Sequence, residues 1–449
     1  MNFPADLFAG LRYAVVGLGK NGLPVARRLV ATGAAVTVWD DNEAARAAAT
    51  GLDVRMPDMA GIDALILSPG IAHRLPKPHE IAAAAIAAGV PIWSDVELLF
   101  RAVRRAGSQA RFVGVTGTNG KSTTTALLAH MIAGTGRPVA AGGNLGVAAL
   151  DLGLLGDDGI YVIEMSSYML ERLATVRFTA AVMLNLSPDH LDRHGDMAGY
   201  ARAKRAIFDR QTGDDLAVVG IEDELSRAMA AELGAFTIAG DRRADVWADG
   251  SLLQDSAGLI VDLAQASALP GAHNAQNAAA AAAIALHLGL SRAEIAAGII
   301  TYPGLPHRQE QVGSIAGIRF INDSKATNAD STARAMVCYD RFILIAGGQA
   351  KEGGIDPLAQ YFPRIALALL IGRDAPILAA TLAAHGVPYR EVGTLAVATE
   401  QAWQAARDGA APVVLLSPAC ASWDQFTGFD QRGDMFRDQV AAIAVREGA

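Results

Sequence analysis

Cysteine is almost missing from this chain: among 449 residues only Cys338 and Cys420 occur, which excludes a disulfide framework and a paired-cysteine metal site. Both read as reduced, buried, small apolar residues rather than nucleophiles. Charged residues reach only 19% against 51% hydrophobic, a balance that belongs to a globular rather than a disordered chain. No uncharged apolar run approaches the ~18 residues that a membrane span needs. The start, Met1-Asn2-Phe3-Pro4-Ala5-Asp6, lacks a basic region followed by an apolar core, so a cytoplasmic protein with no membrane attachment is expected. Positive charge is in deficit too. A net charge of −8 argues against nucleic acid as a partner, and any anionic ligand must be held by local devices.

What is present is α/β. At about 150 residues per domain the length suggests three domains. Strands over 13–16, 35–39 and 64–67 alternate with a helix over 22–31 and predict a parallel sheet within residues 1–95. The first turn carries Gly17, Gly19 and Gly22 as G-x-G-x-x-G, and Asp40 ends the second strand. Close glycine backbone and a helix N-terminus recognise a diphosphate, whatever group hangs from it. Taken alone, this fingerprint favours NAD and a nicotinamide-dependent dehydrogenase.

The second segment, 96–304, reverses that preference. The run Thr116-Gly117-Thr118-Asn119-Gly120-Lys121-Ser122-Thr123 lies between an apolar strand and a helix read over 125–132, the setting of a triphosphate-binding loop. Lys121 would neutralise the outer phosphates and Ser122 would hold magnesium. The strict pattern wants glycine where Val115 stands, and a Gly/Thr-rich turn with a surface lysine is the blander alternative. Strands over 160–163 and 180–186 deliver Glu164, Asp189 and His190 to the ligand edge of the sheet. Glu164 suits magnesium, which takes oxygen ligands, or it is an ordinary helix-start acid. Lys204, on a helix read over 200–208 with Arg202 and Arg205, reads by itself as part of a solvated basic face.

Tyr302-Pro303-Gly304-Leu305-Pro306 reads as a hinge. Beyond it, 305–449 is again α/β, with strands over 342–345, 367–371 and 413–416. Asn322-Asp323-Ser324-Lys325, Gly347-Gly348-Gln349-Ala350-Lys351 and the string from Ser417 to Ser422 should share one sheet edge facing the second segment.

Four stretches, Gly114-Val115-Thr116-Gly117-Thr118-Asn119-Gly120-Lys121-Ser122, Gly142-Gly143-Asn144-Leu145-Gly146, His190 with Lys204, and Gly271-Ala272-His273-Asn274-Ala275-Gln276-Asn277, resemble those of the Mur ligases. The similarity covers essentially the whole chain. It implies an α/β fold of three domains: a Rossmann-like UDP-binding domain at 1–95, a central P-loop-type ATPase domain with a mostly parallel sheet at 96–304, and a Rossmann-like domain at 305–449. Gly304-Leu305-Pro306-His307-Arg308, Asn322-Asp323-Ser324-Lys325-Ala326-Thr327-Asn328 and SPACASWDQFTGFDQRG over 417–433 are similar to the members that add D-glutamate to UDP-N-acetylmuramoyl-L-alanine for peptidoglycan.

From this resemblance Gly117, Thr118, Asn119, Gly120, Lys121, Ser122 and Thr123 would bind ATP, with Asn277, Arg308 and Asp323 toward the adenine nucleotide. Ser122 and Glu164 would hold one Mg2+, and His190 and Lys204, the latter as a carbamate, a second. Gly17, Leu18, Gly19, Lys20, Asn21, Gly22, Asp40, Ser68, Gly70 and Asn144 would take the UDP substrate, with Ser166 near its carboxylate and phosphates. Lys325, Thr327, Lys351, Ser422 and Phe429 would hold glutamate, whose two carboxylates need cationic or hydroxyl donors. A monomer and a domain closure about Gly304 are further expectations. Asp41 and Asn42 stand where family members often have threonine and arginine, and Trp423 replaces a leucine. Alternatives are a related ligase taking L-glutamate or another amino acid, a folylpolyglutamate-type synthetase, or a nucleotide-switched scaffold.

Overall fold

The computed structural model describes residues 1–144, 146–350 and 353–448. Among them three sheets of five, nine and six strands, each mostly parallel, build three α/β domains. They gather into two compact units, Met1–Ala266 with Ala272–Tyr302 and Ser267–Gly271 with Pro303–Ala449. No helix of the described residues is long and apolar enough to cross a membrane.

The N-terminal sheet runs, in space, Asp53–Val54, Ala35–Trp39, Arg12–Val16, Ala64–Leu67 and Ile92–Trp93, all parallel. Arg12–Val16 and Ala64–Leu67 are apolar and almost wholly buried, as strands covered on both faces must be. Strand order reverses between these two, so the loops leaving their carboxyl ends part and open a crevice. The glycine turn at 17–22 and the turn at 68–71 therefore face each other.

In the central sheet Arg111–Thr116 lies between Ile160–Glu164 and Ala180–Met183, with Val115 opposite Glu164 and Thr116 opposite Met183. The phosphate loop, Glu164 and residues 184–190 thus leave the sheet side by side. Three strands at its far edge, Val246–Asp249, Leu252–Asp255 and Gly258–Asp262, form an antiparallel meander. The strand expected over 180–186 stops at Met183, because Asn185 turns to bond the phosphate loop. The helix expected over 200–208 is Met197–Arg205, started by Asp196, whose carboxylate accepts from the Gly199 N–H at 2.7 Å. The helix after the loop spans Lys121–Gly134, longer than the apolar pattern alone indicated. Six successive alanines in Ala272–His287 are buried and let that helix pack closely on Lys121–Gly134.

The helix Asp95–Arg105 ties the first two domains together. Its Glu97 carboxylate, wholly buried, accepts from the Ala174 N–H at 2.8 Å, the Thr175 N–H at 3.0 Å and the Thr175 hydroxyl at 2.5 Å. Burial would raise its pKa, but these donors and Arg101 together hold it below the usual range.

In the second unit the six strands are ordered Glu310–Ile315, Ile318–Asn322, Val413–Leu416, Phe342–Gly347, Ile365–Ile371 and Tyr389–Gly393, with the first pair antiparallel and the rest parallel. Cys420 is buried as expected, but Cys338 is only partly buried, its thiol donating to the Arg334 carbonyl at 3.2 Å. Burial pushes the two thiols up to about 12 and about 11 respectively, far from the thiolate that a nucleophile needs.

Candidate active site

The phosphate loop is shaped by two glycines with positive φ, 147° at Gly117 and 84° at Gly120. A Cβ on Gly120 would lie 2.1 Å from Asn277 Oδ1, so glycine is required there for both conformation and space. Asn185 braces the loop: its carbonyl accepts from the Thr118 N–H at 2.9 Å and its Oδ1 from the Asn119 N–H at 2.9 Å. Those two N–H groups therefore serve the loop's own shape. The anion-favouring end of the helix begins with Lys121 and Ser122. The Thr118 hydroxyl accepts from the Ser187 N–H at 3.0 Å. Asn277, buried, accepts from the Thr124 hydroxyl at 3.3 Å and donates to Asn274 at 2.9 Å.

Two lysines converge on one carbonyl. Lys121 Nζ donates to the Gly117 oxygen at 2.9 Å and the Thr118 oxygen at 2.8 Å, while Lys204 Nζ donates to the same Gly117 oxygen at 2.8 Å. Lys204 is 1% exposed, so it is no solvated surface charge. Burial, and then Lys121 beside it, drive its pKa well below the usual lysine value.

Glu164 is buried with Oε1 accepting from Asn144 Nδ2 at 2.7 Å and Oε2 without a hydrogen-bond partner among the described residues. A buried, unmet carboxylate oxygen is costly unless a cation or donor reaches it. Ser166 caps the short helix Ser167–Leu170. His190 takes a positive φ of 52°, its ring 4.9 Å from that of Tyr168 and its Nε2 3.4 Å from the Asp189 carboxylate. Partial burial, opposed by Asp189 but reinforced by Lys121 and Lys204, lowers its pKa. Lys121, Ser122, Glu164, His190 and Lys204 are thus brought to one end of one sheet.

The crevice of the N-terminal sheet is a cavity of about 470 Å³ lined by Gly17, Gly19, Lys20, Asn21, Asp40, Asp41, Ser68, Pro69, Ile71 and Asn144. Leu18, Gly22 and Gly70 do not line it. Leu18 is a core side chain, and Gly22 permits close approach, since a Cβ there would fall 1.8 Å from the Gly17 oxygen. The Asp40 carboxylate holds the turn, accepting from the Leu18 N–H at 2.6 Å and the Asn42 N–H at 2.8 Å. Ser68 donates its hydroxyl to the Gly17 carbonyl at 2.7 Å. Arg172, which nothing in its local sequence distinguishes, sits buried behind the 68–71 turn.

In the second unit Lys325 Nζ stands 3.8 Å from the centre of the Phe429 ring, a cation–π contact. Ser422 is buried near the same strand ends, and Thr327 follows through a turn in which its N–H donates to the Lys325 carbonyl at 2.9 Å. Lys351 lies outside the described residues. Arg432 fixes these loops from beneath, its guanidinium donating to the Ser324 hydroxyl at 2.9 Å and to the Cys420 carbonyl at 3.2 Å. Arg308 and Asp323 belong to this unit as well. Asp323 is buried, accepting from the Ser417 hydroxyl at 2.7 Å and the Gln309 N–H at 3.2 Å, and burial lifts its pKa to about 7.

Fold and loop geometry together define an α/β protein of the phosphate-loop class, with a second crevice, lined by the G-x-G-x-x-G turn, on its N-terminal sheet. Residues 115–285 match the Mur ligase middle domain and residues 307–420 the glutamate ligase domain of Mur ligases. The UDP-N-acetylmuramoylalanine–D-glutamate ligase of Paramagnetospirillum magneticum is 50% identical, covering 97% of this chain and 98% of the relative. That of Rhodospirillum rubrum is 46% identical over 98% and 96%. Among solved structures, the UDP-N-acetylmuramate-alanine ligase MurC of Thermotoga maritima aligns with a TM-score of 0.63 at 18% identity, over 96% of this chain and all of that one. MurF of Acinetobacter baumannii gives 0.61 at 18% over 98% and 93%; these two bear on the fold. The chain belongs to the Mur ligase family.

Proposed function

We propose that this chain is an ATP-dependent ligase that joins D-glutamate to UDP-N-acetylmuramoyl-L-alanine, a cytoplasmic step in building peptidoglycan precursors, and that it works as a monomer. Support comes above all from the 50% identity that extends over nearly the entire length of a D-glutamate-adding relative. A carboxylate is a poor acyl donor. One oxygen of the acceptor's alanine carboxylate attacks the γ-phosphorus of ATP, ADP leaves, and an acyl phosphate results. The glutamate amine then attacks the acyl carbon, loses a proton, and expels inorganic phosphate as the amide forms. Transfer to so weak a nucleophile depends on in-line positioning and charge neutralisation, for which Lys121 and the start of its helix are placed.

The Glu164 oxygen left without a hydrogen-bond partner supports one magnesium site, and a second is part of the same proposal. Ser122 with the unmet Oε2 of Glu164 would hold one, and His190 with a carbamate on Lys204 the other. Bound there, the ions would supply charge neutralisation at the transferring phosphoryl group. The buried Lys204 amine, deprotonated more readily than an ordinary lysine, can add to carbon dioxide, giving an N-carboxylate and a proton. That conversion turns a cation into an oxygen ligand. Asn144 and Ser166 attend the acceptor carboxylate, and the crevice residues Gly17, Gly19, Lys20, Asn21 and Ser68 its nucleotide end. Asn277, Arg308 and Asp323 serve the adenine nucleotide. Lys325, Thr327, Lys351, Ser422 and Phe429 serve the amino acid.

Phosphate release from ATP, followed with UDP-N-acetylmuramoyl-L-alanine and a panel of amino acids, tests this directly. D-Glutamate alone should give turnover. Equal rates with L-glutamate would refute the assigned stereochemistry, and no phosphate release with either enantiomer would refute the ligase.

A further inference from the structure

The Ser68–Ile71 turn forms one wall of the cavity, and its Ser68, Gly70 and Ile71 carbonyls are engaged by arginine side chains. Arg172, 3% exposed, donates through Nη1 to the Leu67 carbonyl at 2.7 Å and the Ser68 carbonyl at 3.0 Å. Its Nη2 donates to the Ile71 carbonyl. Its Nε donates to Nδ1 of His73 at 3.3 Å, a ring that burial, with Arg172 beside it, keeps neutral by lowering its pKa to about 4. Arg193 completes the set, donating to the Gly70 carbonyl at 3.1 Å. Four backbone oxygens in five residues are held by two guanidinium groups, three by the buried Arg172 and one by Arg193 at the surface.

Among the described residues no carboxylate hydrogen-bonds this buried guanidinium; its partners are three carbonyls and a neutral imidazole. A fork so bonded holds its geometry as a lysine could not, and its charge, barely screened by water, lies directly behind the wall. Glu171, the adjacent acid, instead pairs with His194 at 3.2 Å.

Given that the cavity takes the nucleotide end of the acceptor, as proposed above, we infer that Arg172, aided by Arg193, is a positioning residue for the substrate's diphosphate. It engages the Leu67, Ser68 and Ile71 carbonyls, so that they do not oppose the phosphates, and adds a buried positive charge beneath them, offset in part by Glu171. Because Arg172 stands two residues past the helix Ser167–Leu170, which follows Glu164 and Ser166, the same contact fixes the nucleotide wall to the backbone that carries the phosphoryl-transfer groups.

The test measures binding of UDP alone and of ATP to the full chain by titration calorimetry, for wild type, Arg172→Gln, Arg172→Lys and Arg193→Gln. Arg172→Gln should weaken UDP about tenfold or more and leave ATP within about twofold. Arg172→Lys, which keeps the charge but not the fork, should fall between, and Arg193→Gln should weaken UDP about threefold. UDP binding unchanged in folded Arg172→Gln, or UDP and ATP weakened equally, overturns the inference. Should Arg172→Gln fail to fold, the lysine and Arg193 variants decide by the same comparison. Wild type that binds UDP and ATP but releases no phosphate with either glutamate enantiomer would refute the ligase function and not the role of Arg172.

Discussion

Replacing Gly120 by alanine would strike the phosphate loop at its narrowest point. The residue sits at φ 84°, where an L side chain costs about 1–2 kcal/mol. The added methyl would lie 2.1 Å from Asn277 Oδ1 and 3.2 Å from Leu184 Cδ1. Asn277 is buried and bonded to Thr124 and Asn274, so moving it aside sacrifices hydrogen bonds worth about 0.5–1.5 kcal/mol each. The total is about 2–5 kcal/mol, or roughly 3–8 °C in the unfolding midpoint of a unit this size. Turnover should fall by more than about a hundredfold, because the loop can relax only by opening. A double-mutant cycle with Asn277→Ala separates the two terms. Removing the amide relieves the clash but leaves the backbone strain, so the double variant should be more stable than the two single losses predict by about 1 kcal/mol or more. Additive losses, or a Gly120→Ala protein with near-normal melting and ATP turnover, would refute this account of the loop.

Lys204→Ala should abolish ligation while the chain still folds, as read by product formation and thermal unfolding; near-normal turnover would remove Lys204 from the proposed metal-binding set. Asp323, with a folded pKa of about 7 against about 4 in the unfolded chain, binds a proton in the native state that the unfolded state has lost. Stability is therefore unpenalised below the unfolded value and declines as pH rises toward 7. Asp323→Asn removes that dependence, so urea unfolding at pH 5 and pH 8 should show wild type losing about 2–3 kcal/mol relative to the variant. A pH-independent difference would show that Asp323 does not titrate in this range.

Both glycine-rich strand-to-helix turns could be read from the chain because their geometry compresses them into short strings. A tight turn needs glycine at fixed spacing, and the helix that follows must begin at once. Three alternating strand-helix segments were equally plain, since parallel strands covered on both faces are continuous apolar runs. What escaped is held by partners far away in sequence. Arg172 meets Leu67 and Ile71 across more than a hundred residues, and Glu97 meets Thr175 across 78. Arg432 meets Ser324 across 108. Asn185 lies in plain view after a strand, yet only the fold shows that its amide shapes the loop. Lys204 was legible as chemistry only through family resemblance, because helical spacing with Arg202 and Arg205 gave no sign of its burial.

The seating of Asn277 against Gly120 also orders events at the ribosome. Thr124 and its partner Asn277 are separated by 153 residues, and at about 5–20 residues per second the later one is synthesised roughly 8–30 s after the earlier. Throughout that interval the nascent chain carries its glycine loop without the amide that closes it. The loop therefore gains its closing contact only near the completion of this unit's synthesis, and a truncated translation product ending before residue 277 would emerge without that contact.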